Sequence, residues 1–154
     1  MVNNFNISDN GKALIEFVEG CKLTAYRDDA GVLTIGYGHT GKDVADGMSI
    51  SQQQAEALLI SDLKNAEFWV NKLVTISINQ SQFDALCSFT FNEGNKRLQS
   101  STLLKQLNLG NFSEVPKQFL RWKIVNGKDS KGLLNRRKRE IALFQNTDWK
   151  NIKV

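Results

Sequence analysis

In the first part of the chain, the hydrophobic and polar positions follow a helical spacing and then change to a pattern typical of β-strands. Residues 9–19 carry apolar side chains at helical spacing, with Ser8 placed to cap the helix and Gly20 to end it. Short runs rich in β-branched and aromatic residues follow at Leu23–Asp28 and Val32–Tyr37, around a glycine-containing turn. The pattern predicts one helix followed by a β-hairpin.

All elements after Gly47 are predicted to be helical. The longest helix opens at Ser51 and carries apolar residues on one stripe as far as Leu73. The helices predicted beyond it are one that Asn79 caps and Gly94 ends, one over Thr102–Leu109, one from Ser113 to Asn126–Gly127, and one over Leu133–Phe144.

This order of elements predicts an α+β fold in one domain of 154 residues. We expect a small N-terminal lobe over about residues 9–50, a connecting helix over about 51–73 and a helical lobe over about 74–154. A natural cleft would lie between the two lobes, with the hairpin as one wall.

Composition narrows the range of partners without choosing one. The net charge of +4 favours a polyanion, which nucleic acid, an anionic membrane surface and a cell-wall polymer all satisfy. Cys21 and Cys87 have no CxxC spacing, and the chain has one histidine. We therefore predict buried thiols, no metal site and no cofactor.

The N-terminus has neither the basic region nor the apolar region of a secretory signal. No apolar run approaches the roughly 20 residues that cross a bilayer. These features predict a protein that is kept in the cytoplasm and does not insert stably into a membrane.

Glu19 is the first candidate for catalysis. It lies in the last turn of the first predicted helix, where the helix dipole disfavours a carboxylate and so favours the protonated form that a general acid needs. The alternative is a solvated surface glutamate at a frayed helix end.

Asp28 and Thr34 are the next candidates, because a short hairpin can point both side chains the same way. A carboxylate and a hydroxyl so placed can hold a water opposite a protonated acid, as glycoside hydrolysis requires. The alternatives are turn chemistry for Asp28, which suits Asp29 better, and an ordinary strand role for Thr34.

Three stretches of the chain resemble the phage-type lysozymes, or endolysins, of glycoside hydrolase family 24. They are EGCKLTAYRDDAGVLTIGYGHT (19–40), QSQFDALCSFTFNEG (80–94) and GLLNRRKREIALF (132–144). The spacing from Glu19 by nine residues to Asp28 and by six more to Thr34 is specific to that signature. The resemblance covers nearly the whole chain and implies a lysozyme-like fold with an active-site cleft between the lobes.

The resemblance implies hydrolysis of the β-1,4 bond between N-acetylmuramic acid and N-acetylglucosamine in peptidoglycan, with inversion at the sugar carbon. Glu19 would protonate the glycosidic oxygen, and Asp28 with Thr34 would position the attacking water. Phe91 and Asn92 would contact the substrate, although core packing explains Phe91 equally well.

The resemblance also assigns roles to His39, Asp62 and Arg136. His39 would form a structural pair with Asp62 rather than act as a base, and Arg136 would approach Glu19 to orient it or to bind ligand. The neighbouring run Arg137–Arg139 is typical of a solvated helix face. The polar segment 128–131 and the region 100–102 depart from the family pattern, which leaves substrate contacts there open.

Two alternative functions remain: a lytic transglycosylase, which would not need Asp28 and Thr34, and a cationic wall-binding domain without catalysis. Nucleic-acid binding is not predicted, because the positive residues are spread over the chain and no motif accompanies them. An endolysin held in the host cytoplasm would depend on a holin for release to the cell wall. We expect it to act as a monomer.

Overall fold

The computed structural model describes residues 1–153. The chain forms two compact units. We call Ile15–Asn65 the hairpin unit, and Met1–Leu14 together with the residues from Ala66 onward the helical unit. Their bounds differ from those of the predicted lobes, because the N-terminal segment groups with the C-terminal helices. The chain passes from one unit to the other within two helices, α1 (Asp9–Glu19) and α2 (Gln52–Leu73).

The hairpin unit contains a three-stranded antiparallel sheet in the order β1-β2-β3. The strands are β1 (Lys22–Arg27), β2 (Leu33–Gly36) and β3 (His39–Thr40). Tyr26 of β1 lies opposite Thr34 of β2, so that their side chains share one face of the sheet. The first helix matches its predicted bounds, and the third strand is an addition to the predicted hairpin.

Local signals fix the start of α2 and its distance from the sheet. Ser51 Oγ accepts a hydrogen bond of 3.1 Å from the Gln54 amide, and Gln54 Oε1 accepts one of 2.8 Å from the Ser51 amide. This reciprocal pair satisfies amides that a helix N-terminus leaves open. A Cβ at Gly36 would lie 3.4 Å from Ala55 Cβ, so glycine lets β2 pass close to α2.

The helical unit is built around the packing of α3 against α7. Its further elements are α3 (Gln80–Glu93), α4 (Asn95–Ser100), α5 (Thr102–Asn108), a 3-10 turn (Phe112–Glu114), α6 (Val115–Leu120), β4 (Ile124–Val125), β5 (Lys128–Asp129) and α7 (Lys131–Phe144). Phe89 at the centre packs edge-on against Phe119 and Trp122, with ring centroids 5.7 and 5.3 Å apart. Asn79 and Gln82 form the predicted capping box of α3.

The prediction of a helix from Ser113 to Asn126–Gly127 is wrong at its C-terminal end. The helix α6 ends at Leu120, and Asn126–Gly127 instead connects β4 to β5 in a two-residue hairpin. Both turn residues have positive φ, 51° and 77°, as the tight hairpin turn requires. The helix α4 is a further element that the sequence pattern did not predict.

Both cysteines are free thiols. Cys87 is buried, as predicted, whereas Cys21 is only half-buried. The pKa of each thiol is raised, mainly because burial disfavours the charged thiolate. No helix among residues 1–153 is both long enough and apolar enough to cross a membrane.

Candidate active site

Glu19 is the last residue of α1 and is half-buried. The chain turns immediately after it at Gly20, where φ is +67°. The carboxyl group lies against the backbone of the β2–β3 turn, because a Cβ at Gly38 would be 3.0 Å from Glu19 Oε1. A side chain at position 38 would therefore displace the carboxyl group, so glycine at this position keeps space for it.

Asp28 follows β1 directly and is exposed. Its Oδ1 accepts hydrogen bonds of 2.9 Å from the Ala30 amide and 2.8 Å from the Val32 amide. The position of Asp29 next to the turn glycine predicts such turn chemistry for Asp29 rather than Asp28, and the structure corrects that prediction. Among residues 1–153, none donates a hydrogen bond to Asp28 Oδ2. One oxygen atom thus shapes the turn, and the other is open to solvent.

Thr34 lies on β2 with only 3% of its surface exposed. Its hydroxyl donates a hydrogen bond of 2.8 Å to the carbonyl of Val32. Since the single hydroxyl hydrogen is used in this bond, Oγ1 faces any further partner as an acceptor. Asp28 continues the strand register opposite Val32, through a bond of 2.9 Å from its amide to the Val32 carbonyl. Asp28 and Thr34 are therefore diagonal neighbours on one face of the sheet, a relation in which long or polar side chains come within reach of each other.

Tyr26 links the three predicted catalytic residues within the hairpin unit. It lies directly across the sheet from Thr34. Burial raises the pKa of Tyr26, and the charges of Glu19, Asp28 and Asp29 raise it further, in that order. The phenol group of Tyr26 is thus within electrostatic range of both predicted catalytic carboxyl groups. The residue pattern of β1 does not by itself predict a role for Tyr26.

His39 bonds to two carboxylates. Its Nδ1 lies 2.8 Å from Asp62 Oδ2, which is the contact predicted by resemblance. Its Nε2 lies 3.0 Å from both oxygen atoms of Asp43, a partner that sequence analysis did not predict. Burial lowers the pKa of His39, but the hydrogen bonds and charges of Asp62 and Asp43 outweigh burial and raise it.

The helical unit holds a buried ion network between α3 and α7. Arg137 and Glu140 have no exposed surface, and Arg137 Nη1 donates a hydrogen bond of 2.8 Å to Glu140 Oε1. Glu140 Oε2 accepts from Ser88 Oγ at 2.5 Å and from Arg136 Nε at 3.3 Å. Burial lowers the pKa of Arg137, and the charge of Glu140 opposes this effect. Each buried charge in the network thus has a counter-charge.

The expected solvated face at Arg137–Arg139 is wrong for Arg137. Arg137 is buried where α7 packs against α3, and Glu140, three residues further along α7, neutralises its charge. Arg139 is half-buried and donates hydrogen bonds to the carbonyls of Trp149 and Lys150. The basic run is therefore mainly structural at these two positions.

The predicted substrate contacts lie at the end of α3 and on α7. Phe91 is half-buried, which fits either core packing or substrate contact. Asn92 is exposed, and its Oδ1 accepts a hydrogen bond from Arg137 Nη2. Arg136 is buried and donates a hydrogen bond of 3.1 Å to the Ser88 carbonyl. Its predicted approach to Glu19 stays a prediction.

Comparison with known proteins gives one family. A sequence model described as "Phage lysozyme" matches residues 16–140. The chain is 46% identical to the endolysin of Salmonella phage P22 over 142 residues, which cover 90% of this chain and 97% of the relative. It is 44% identical to the endolysin of Bacillus phage B103 over 149 residues, which cover 96% of this chain but only 57% of the relative. A solved structure of the endolysin from Escherichia coli O157:H7 phage FAHEc1 is similar, with a TM-score of 0.88, 38% identity and 94% and 96% of the two chains covered.

Proposed function

The chain belongs to the phage lysozyme family and is a peptidoglycan-hydrolysing lysozyme, and we propose that Glu19, Asp28 and Thr34 carry out the hydrolysis. The bond cleaved is the β-1,4 bond from N-acetylmuramic acid to N-acetylglucosamine. The observation that supports this assignment is the geometry of the hairpin unit, where Glu19 lies against Gly38 and Asp28 continues the register of β1 diagonally beside Thr34 on β2.

Glu19 acts as the general acid. It gives its proton to the glycosidic oxygen as the bond between that oxygen and the sugar C1 atom breaks. A water oxygen forms the new bond to C1, and the water loses a proton to Asp28. The products are two glycan ends, and later exchange of protons with solvent restores the starting states of Glu19 and Asp28.

Asp28 and Thr34 hold the attacking water by its hydrogen atoms. Asp28 Oδ2 is open, and Thr34 Oγ1 is available as an acceptor because its own hydrogen is bonded to the Val32 carbonyl. A water that donates one hydrogen to each of these oxygen atoms keeps its lone pairs free to attack C1. The two amides bonded to Asp28 Oδ1 keep the carboxylate in place during the reaction.

Because Asp28 activates a water rather than bonding to C1 itself, hydrolysis is a single displacement in which the water attacks opposite the departing oxygen. We therefore propose inversion of configuration at C1. A lytic transglycosylase has no use for a water-positioning pair, so Asp28 and Thr34 disfavour that alternative. A wall-binding domain without catalysis would not need Glu19 against Gly38.

The endolysin relatives also suggest where the protein acts. We propose that it stays in the host cytoplasm until a holin opens the inner membrane, and that it then reaches the cell wall. We further propose that it acts as a monomer, since the three catalytic side chains belong to one unit of one chain. Expression with and without a pore-forming protein tests the first proposal, because lysis by the lysozyme alone would contradict it.

Digestion of purified peptidoglycan tests the assigned reaction. We expect products that end in reducing N-acetylmuramic acid, with the α anomer formed first in proton NMR spectra. Products with a 1,6-anhydro end would instead show transglycosylation. Glu19→Gln should lower the rate about 10²- to 10⁴-fold with an unchanged melting temperature. Full activity of this variant would contradict the role of Glu19.

A further inference from the structure

A buried cation in the helical unit bonds to one exposed side chain. Arg137 has no exposed surface, whereas Asn92 at the end of α3 is exposed. Arg137 Nη2 donates a hydrogen bond to Asn92 Oδ1 and lies 3.5 Å from Glu93 Oε2. The conformation of a surface amide is thus coupled to a charge in the core.

This bond fixes which end of the Asn92 amide faces outward. A guanidinium group has only hydrogen-bond donors, so it can bond only to the oxygen atom of the amide. A flipped amide would place its NH₂ group against the donors of Arg137. The NH₂ group of Asn92 is therefore directed away from Arg137, with two hydrogen atoms available to a partner.

Arg137 is itself held too firmly to follow a rotating Asn92. Its Nη1 atom bonds to Glu140, and its guanidinium carbon lies 5.1 Å from the centre of the Phe89 ring. Glu140 is in turn bonded to Ser88. The rigid side of the contact is the buried one, so that the exposed amide takes its orientation from the core.

We propose that Arg137 is a positioning residue, which holds Asn92 with its NH₂ group ready to donate a hydrogen bond to an oxygen atom of the peptidoglycan substrate. The proposal rests on the function proposed above. The accepting oxygen belongs to a hydroxyl, an acetamido carbonyl or a stem-peptide carboxyl group.

The surroundings of Asn92 fit this role. The next residue, Glu93, lines a cavity of about 400 Å³ together with Arg97, Ser101 and Trp122. An amide that is ordered before the substrate arrives loses less conformational entropy on binding than a mobile one. The expected benefit is therefore in substrate affinity rather than in the chemical step.

Asn92→Asp is the sharpest test, because it keeps the shape and the bond to Arg137 but replaces the outward donor by an acceptor. We expect the apparent KM for purified peptidoglycan to rise about 3- to 10-fold, the range for loss of one hydrogen bond, with kcat changed less than about 2-fold. The melting temperature should not fall, since the new carboxylate pairs with a buried cation. Gln99→Glu, at an exposed position on α4, adds the same charge and should leave KM unchanged. Equal KM values for Asn92→Asp and wild type would overturn the proposal.

Arg137→Lys separates positioning from a purely structural role. The shorter, single-point donor cannot bond to Glu140 and Asn92 in the same way, so the Asn92 NH₂ group should become more mobile in ¹⁵N relaxation measurements. Adding Arg137→Lys to Asn92→Ala should raise KM no further than Asn92→Ala alone, whereas independent effects would multiply and contradict coupling. If the wild-type protein failed to hydrolyse peptidoglycan, the function proposed above would be refuted instead. Failure of the positioning role and failure of the proposed function are therefore distinguishable.

Discussion

The hairpin unit and the helical unit use charged side chains in opposite ways. In the hairpin unit, Asp28 is exposed, and one of its oxygen atoms is held by backbone amides while the other faces solvent. In the helical unit, Arg137 and Glu140 are fully buried and neutralise each other. The Asp28 carboxyl group is thus open to solvent, whereas that of Glu140 is enclosed.

This difference separates chemistry from stability. An accessible carboxylate can take a proton from water or a substrate, and it can be altered at little cost to folding. A buried ion pair cannot take part in such exchange, and removal of one partner leaves an uncompensated charge in the core. We therefore expect substitutions in the two units to affect different measurements.

Asp28→Asn should lower activity as strongly as Glu19→Gln. The amide oxygen can still accept hydrogen bonds from Ala30 and Val32, but the amide cannot take a proton from the attacking water. We expect the rate of peptidoglycan hydrolysis to fall about 10²- to 10⁴-fold with little change in melting temperature. Asp29→Asn is the matched control and should keep its activity. Equal rates for the two variants would contradict the assignment of Asp28.

Glu140→Leu should have the largest effect on stability. It leaves Arg136 and Arg137 without their shared counter-charge, and we expect the free energy of unfolding to fall by about 3–5 kcal/mol in urea titrations. Glu114→Leu removes a partly exposed ion pair with Lys117 and should cost at most about 1 kcal/mol. If both variants unfold at the same urea concentration, the buried network does not stabilise the helical unit.

The same contrast explains how much could be predicted from the sequence. The bounds of α1 and the start of α2 were predicted correctly, because caps and apolar spacing are local signals. The membership in the lysozyme family, and with it the α+β lysozyme-like fold, is confirmed by the comparisons. The placement of Asn126–Gly127 was wrong because the pair was interpreted as a helix end, although Asn-Gly is also a strong hairpin signal.

Local sequence patterns could not predict which charged side chains are buried. The basic run gives no sign that Arg137 is enclosed, since enclosure depends on the packing of α7 against α3. The spacing of three residues between Arg137 and Glu140 was a usable signal, because such residues are neighbours on one helix face. Asp43, four residues after His39, was likewise within reach of a sequence-based prediction. Tyr26 could be recognised only from the sheet register.

Thr34→Val should produce an intermediate effect. Valine has the same shape without the oxygen atom, so the attacking water loses one of its two acceptors. We expect the hydrolysis rate to fall about 5- to 10-fold, as for one lost hydrogen bond. Thr34→Ser keeps the oxygen atom and should restore most of the rate. A serine variant as slow as the valine variant would show that packing at β2, rather than the hydroxyl group, is responsible.

Asp43→Asn should produce the smallest effect, and one that depends on pH. Since Asp62 and Asp43 raise the pKa of His39 above its ordinary value of 6.5, the charged contact stabilises the fold below that value and is lost as pH rises through the raised pKa. His39 lowers the pKa of Asp43 below 3.8, so the same contact is lost as pH falls through that lowered value. The contribution of the contact is therefore greatest in the acidic range between the two pKa values. Urea midpoints of wild type and variant should differ at pH 5 and converge in alkaline solution.

Asp62→Asn is the matched comparison for this pH series. Asp62 is less exposed than Asp43, with 27% against 61% of the side chain accessible, so its contact with His39 is less screened by solvent. We expect the same sign and pH range as for Asp43→Asn, but a larger shift in the urea midpoint. Neither variant should slow peptidoglycan hydrolysis at a pH where it is fully folded, because we expect His39 to support the hairpin unit rather than to transfer protons. A loss of kcat in either variant would instead place the histidine within the chemistry.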